Sequence, residues 1–163
     1  MILTIKYLIY NSLPSEDVLN ELNLLHSRVF NTSEDLAAKM ANKPQLLIIT
    51  AMAGTKLVGY KIGYELKNDK FYSWLGGVNP AYRGYGIASA LMKRQHQYLM
   101  ERGYRVVQTK TMNKWRAMLI LNLKNGFDVI DTYIDEKGLH KIKLEKQLIS
   151  VKVDEEIRVL DSN

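Results

Sequence analysis

The sequence predicts an α/β domain built on a mixed, mostly antiparallel sheet, and three observations carry that reading. Apolar residues recur with a period of two in short runs and with a helical period in longer ones. Three of the short runs, between Gln45 and Val78, are separated only by brief polar turns, which suits an antiparallel meander. The last of them is followed by a long amphipathic segment and another β-rich run, the order of a βαβ crossover, so those two strands should be parallel. The composition fits one domain with one core. There are 163 residues, 47% hydrophobic and 25% charged, with ten Gly and three Pro.

Along the chain, Ile2 to Tyr10 is rich in β-branched and aromatic residues and reads as a strand. Ser15, followed by Glu16 and Asp17, is an N-cap signal. Val18, Leu22, Leu25 and Val29 then share one helical face. Thr32 to Asp35 opens a shorter helix with Leu36, Ala37, Met40 and Ala41 inward, stopped at Lys43-Pro44. Strands follow at Gln45 to Met52, Lys56 to Leu66 and Phe71 to Val78. Gly86 to Arg102 reads as a long helix with Ile87, Ala88, Leu91, Met92, Tyr98 and Leu99 on one side, closed by Gly103. Then come a strand from Tyr104 to Met112, a helix from Lys114 to Asn125, and strands from Phe127 to Ile134 and His140 to Leu148. Residues 1–149 are expected to form the single domain, and the pattern does not place the tail of 150–163.

The absence of cysteine excludes a disulfide scaffold, a thiolate metal site and a cysteine nucleophile. Three scattered histidines, His26, His96 and His140, argue against a zinc centre, so no metal is expected. No apolar run reaches the roughly 20 residues of a membrane span, and the first residues lack a signal-peptide layout. A cytoplasmic location without membrane contact is the expectation. The formal net charge of +6 suits an anionic partner such as nucleotide phosphates, and it equally suits simple solubility. A nucleic acid is a poor fit, because no recognition motif and no basic helix face accompany the charge.

The most informative segment runs from Val78 to Ala88. A strand ends at Val78, Pro80 forces a turn, and Gly84 and Gly86 lie just before the long helix. The first turn of a helix leaves about four amide groups without partners and carries partial positive charge. Glycines let the backbone approach a ligand closely, so the segment can hold phosphate through main-chain donors. It can also be an ordinary strand-to-helix turn in which glycine supplies conformational freedom alone. A Walker A loop requires G-K-[ST], which the chain lacks. A dinucleotide fingerprint requires a third glycine, where Ser89 stands.

Arg83-Gly84-Tyr85-Gly86-Ile87-Ala88, preceded by Val78-Asn79-Pro80, resembles the acyl-CoA motif R/Q-x-x-G-x-G/A of the GNAT superfamily of N-acetyltransferases. A second stretch is similar to the family's N-x-x-(A/M) and K-x-G-F pattern. It comprises Asn113, the Ala117-Met118 pair and Lys124-Asn125-Gly126-Phe127, in the expected element order. The resemblance spans the chain to about Leu148. It implies the acyl-CoA N-acyltransferase fold, with helices on both faces of the sheet and acetyl-CoA as cosubstrate. The pyrophosphate would sit on the amides of Arg83, Gly84, Tyr85, Gly86, Ile87 and Ala88. Pantetheine would run beside Gly76, Gly77 and Val78, where the two parallel strands splay apart. Asn113 would contact the pantetheine arm, and it can also cap the helix beginning at Lys114. Lys93, Lys114 and Arg116 can reach the nucleotide end or remain solvated.

Two features depart from the family pattern. Where many members carry a Tyr that protonates the leaving thiolate, this chain has Asn122, which can donate a hydrogen bond but not act as a general acid. No carboxylate stands between Phe71 and Gly77, leaving Glu65 or a water relay as the base. Tyr64, Tyr72, Trp74 and Tyr133 can line an acceptor pocket or serve the core. The expected activity is direct transfer of an acetyl group to a primary amine of a small molecule or peptide, by a monomer or homodimer. The oxyanion would be held by a main-chain amide near Gly77 or Val78. The alternative is a non-catalytic acyl-CoA-binding sensor or regulatory module.

Overall fold

The computed structural model describes residues 3–148. The elements are β1 (Ile5–Tyr10), α1 (Glu16–Phe30), α2 (Leu36–Met40), β2 (Leu47–Ala53), β3 (Lys56–Lys67), β4 (Lys70–Val78), a 3-10 turn at Pro80–Tyr82, α3 (Ile87–Glu101), β5 (Val106–Thr111), α4 (Arg116–Lys124), β6 (Asp128–Ile134) and β7 (His140–Gln147). The strands form one seven-stranded sheet in the order β1-β2-β3-β4-β5-β7-β6. The pairs β1/β2, β2/β3, β5/β7 and β6/β7 are antiparallel. β4 and β5 are neighbours joined through α3, the connection expected of the crossover. The tail expected after residue 149 lies outside the described residues.

The described residues form two compact units, one of residues 3–66 with 73–95 and one of 67–72 with 96–148. In the first, Leu22 and Leu25 of α1, Leu36 and Met40 of α2, Leu46 and Ile48, and Leu57, Tyr60 and Ile62 of β3 make a buried cluster, with Val18 and Val29 packed against it. Ser15 caps α1 by accepting from the amide of Val18, and Asp35 caps α2 by accepting from Ala38. Ala41, expected inward, is exposed, because α2 ends one residue earlier. β2 begins at Leu47, since Gln45 has a left-handed backbone (φ +50°) that a strand cannot contain.

In the second unit, α4 begins at Arg116 rather than Lys114, with Trp115 at the cap position and no side-chain cap bond. Asn113 therefore does not cap the helix; it stands exposed in the turn before it. The buried face of α3 also differs from expectation. Ile87, Leu91, Met92 and Leu99 are buried, together with the polar Gln95 and His96, while Tyr98 is half-buried and stacks on the Arg102 guanidinium at 3.5 Å.

Candidate acyl-CoA site

The first unit contains the whole glycine turn. Asn79 is buried, and its amide donates to the Val58 carbonyl of β3 at 2.8 Å, while its side chain accepts from the Ala81 amide at 3.0 Å. The end of β4 is thus pinned to β3, and the 3-10 turn is capped from within. The chain then leaves the surface of the unit: Arg83, Gly84, Tyr85 and Gly86 are all exposed. Gly84 (φ +86°) and Gly86 (φ +75°) have left-handed backbones, which explains why both are glycine. A Cβ at either would meet nothing within 4 Å, so packing does not demand glycine there. The Gly86 carbonyl accepts from Ala90 at 3.0 Å and starts α3. The amides of Ile87, Ala88 and Ser89 in the first helical turn have no intrahelical acceptor. Those of Gly84, Tyr85 and Gly86 donate to no backbone carbonyl among the described residues. Ile87 is buried and anchors the helix start, and Ala88 is half-buried.

Gly76, Gly77 and Val78 are half-buried at the end of β4. A Cβ on Gly77 would lie 3.1 Å from Val29 Cγ1 and 3.2 Å from Tyr60 Cε1, so α1 and β3 close over this strand and leave no room for a side chain. The Tyr60 ring is held in place from beyond. Its hydroxyl meets His26 Nδ1 at 2.6 Å, His26 Nε2 meets Glu34 at 3.2 Å, and Lys39 pairs with Glu34 at 2.7 Å. In the neutral imidazole these bonds select one tautomer, with Nε2 donating to the carboxylate and Nδ1 accepting from Tyr60. Burial, with the Glu34 charge, raises the Tyr60 pKa, and the bonds from Lys39 and His26 hold that of Glu34 below its usual value. Trp74 and Leu75 are consecutive in β4, yet both pack against the same core cluster, so strict alternation is interrupted just before Gly76.

Lys61 was not singled out by the sequence. It is buried on β3, and its Nζ lies 3.9 Å from the point where a side chain would begin at Gly76. Burial alone lowers its pKa to about 8. Glu65 is half-buried on the same strand, with its amide bonded to the Pro44 carbonyl at 2.9 Å. The four candidate pocket aromatics fall around two lysines. Tyr64 and Trp74 pack edge to face at 5.6 Å beneath the Lys43 ammonium, and Lys110 in the second unit lies 5.7 Å from Tyr72 and 5.8 Å from Tyr133. Asn122, also in the second unit, is buried in α4, and its carbonyl accepts from Phe127 and Asn125. Among the described residues no three acidic or histidine side chains gather where they could hold a metal ion, and no helix is long and apolar enough to cross a membrane.

A turn of open amides between a strand and a helix, with the helix dipole behind it, is a geometry that can hold an anionic group. The GNAT acetyltransferase domain family matches residues 26–110, just over half of the chain. An acetyltransferase of Sodalis glossinidius is 35% identical over 108 residues, covering 66% of this chain and 75% of that protein. The chain belongs to the GNAT family of acetyltransferases. The fold matches the ribosomal-protein-alanine N-acetyltransferase of Escherichia coli with a TM-score of 0.73 at 16% identity, over 88% of this chain and 94% of that one. It also matches a GNAT acetyltransferase of Elizabethkingia anophelis with acetyl-CoA bound, with a TM-score of 0.68 at 14% identity, over 88% and 97% of the two chains.

Proposed function

We propose that the protein moves the acetyl group of acetyl-CoA to a primary amine of a small molecule or peptide by direct attack. The observation that carries this reading is the run of unpartnered amides from the exposed Gly84, Tyr85 and Gly86 into the first turn of α3, ahead of a helix dipole and beside Arg83. Main-chain donors and the dipole suit a pyrophosphate without requiring a dense lysine cluster. Gly76, Gly77 and Val78 take the pantetheine arm with Asn113, and a main-chain amide near Gly77 or Val78 takes the negative charge that forms on the thioester oxygen. The amine nitrogen bonds to the thioester carbon, the C–S bond breaks, and Asn122 donates a hydrogen bond to the departing sulfur. With no cysteine in the chain, no cysteinyl acyl-enzyme forms.

The test is incubation with acetyl-CoA and a panel of amines, following free thiol and the mass of the product. Thiol release that requires an amine, with a product heavier by one acetyl group, supports the reading. Tight CoA binding without amine-dependent thiol release across the panel contradicts it.

A further inference from the structure

A lysine is rarely buried unless it is paired, and Lys61 is buried without a bonded acid among the described residues. Its side of the sheet is fixed by register. Lys61 pairs with Ile49, and Gly59, two residues earlier on β3, faces Ile87 and Leu91 of α3. Lys61 therefore lies on the α3 side, opposite the cluster formed by Tyr60 and Ile62. Neighbours on that side from β2 are Leu47, Ile49 and Ala51, none titratable. On the α3 stripe of Ile87 and Leu91, the next residue is Gln95, fully buried with neither amide atom bonded among the described residues. Among the described residues, the titratable groups of the elements packed on this side include Tyr7 of β1, the Arg94 guanidinium 4.3 Å from its ring centroid, Glu65 four residues along β3, and the buried His96 of α3, whose Nδ1 lies 3.1 Å from Lys146 Nζ. Lys93 of α3 is exposed. The ammonium thus sits in a layer that does not neutralise it, with its tip against Gly76, which offers no side chain to cover it.

Resting on the acetyl-transfer reading, we propose that Lys61 is the proton acceptor for the incoming amine, in the place that a β4 carboxylate would otherwise fill. The alkylammonium gives one proton to neutral Lys61 Nζ. The freed amine attacks the thioester carbon, and the C–S bond breaks. The second proton passes from the new amide nitrogen to the CoA thiolate, and Lys61 releases its own proton to solvent. The net result is one acetamide, one CoA thiol and one proton. A lysine is suited to this task when its pKa lies near the working pH, as burial arranges here.

The experiment compares wild type with Lys61→Met, using acetyl-CoA and two nucleophiles. n-Butylamine is cationic at neutral pH and needs a base, whereas hydroxylamine is already neutral. Calorimetry with CoA comes first, and the variant should bind within twofold of wild type. With n-butylamine at pH 7, kcat/KM should fall on the order of 100-fold or more, and the wild-type inflection near pH 8 should vanish. With hydroxylamine the two proteins should agree within about threefold, the span of an ordinary structural perturbation. Equal losses with both nucleophiles would reduce Lys61 to a structural role and overturn the proposal, as would full n-butylamine activity in the variant. A protein that does not bind CoA at all contradicts the acetyl-transfer reading itself. An arm without any acceptor uses lysine labelled with carbon-13 in the CoA-bound protein. A Lys61 side-chain midpoint near 8 supports the proposal, and one at the ordinary lysine value of about 10.4 overturns it.

Discussion

The amide of Asn79 donates to the carbonyl of Val58 at 2.8 Å, and this bond fixes where the chain leaves β4 and enters the glycine turn. The Asn79 side chain then accepts from Ala81 at 3.0 Å and holds the 3-10 turn. Asn79→Ala keeps the first bond and loses the second. Loss of such a cap costs about 1 kcal/mol. The expected result is a lower urea midpoint and a CoA affinity reduced by about fivefold, the equivalent of that energy, both readable on one preparation by denaturation and calorimetry.

Gly76 and Gly77 should respond in opposite ways to the same methyl group. At Gly77 a Cβ would stand 3.1–3.3 Å from Val29 and Tyr60, and Tyr60 is held by its 2.6 Å bond to His26 and cannot give way. Gly77→Ala is expected to destabilise by about 1–3 kcal/mol through overpacking. At Gly76 the contacts would be 3.4–3.9 Å, ordinary van der Waals distances. Gly76→Ala should leave stability unchanged or raise it by up to about 1 kcal/mol. Urea denaturation of the two variants side by side checks the contrast.

Lys61 makes stability depend on pH. Its pKa is about 8 folded against 10.5 for an ordinary lysine. Between those values the unfolded chain binds more protons than the folded one, so stability rises with pH. Below pH 8 both states are protonated and the folded state bears the full cost of the buried charge. Lys61→Met should therefore be more stable than wild type at pH 7 by on the order of 1–3 kcal/mol. The advantage should shrink steadily from pH 8 to pH 10. Denaturation at pH 7, 8.5 and 9.5 measures it.

Asn122 should matter modestly to catalysis. A CoA-like thiolate leaves readily near neutral pH, because a thiol has a pKa of about 8.5, whereas an alkylammonium near 10.4 must lose a proton to react at all. One neutral hydrogen bond is worth about 1 kcal/mol. Asn122→Ala is expected to lower kcat by about tenfold or less, with kcat/KM still climbing from pH 6 upward. A thousandfold fall would show that Asn122 does more than donate a hydrogen bond.

The order of elements and the glycine turn were legible because they depend on local signals: the period of apolar residues, Gly84 and Gly86 before a helix, and the Ser15 and Thr32-to-Asp35 start signals ahead of α1 and α2. Asn79 was not: in the sequence it is the variable position before Pro80, to which the turn was assigned, and its anchoring to Val58 depends on β3 lying alongside. Lys61 was not. In the sequence it is one charge in an alternating strand, and only the placement of Ile49, Gly76 and α3 around it makes it buried. His26 shares the buried stripe of Leu22 and Leu25, yet its tie to Tyr60 spans 34 residues and its tie to Glu34 requires α1 to end at Asn31. The aromatics Tyr64 and Trp74 read as core or pocket, and nothing in their spacing announces the Lys43 ammonium above them.

The central claim is that main-chain amides of the turn hold the CoA pyrophosphate, and amide chemical shifts report on it directly. Titration of nitrogen-15-labelled protein with CoA should move the resonances of Gly84, Gly86, Ile87 and Ala88 more than any others, downfield as expected for amides that gain an anionic acceptor. Binding with those four resonances unmoved, and with the largest shifts at lysine-rich surfaces elsewhere, would contradict the account.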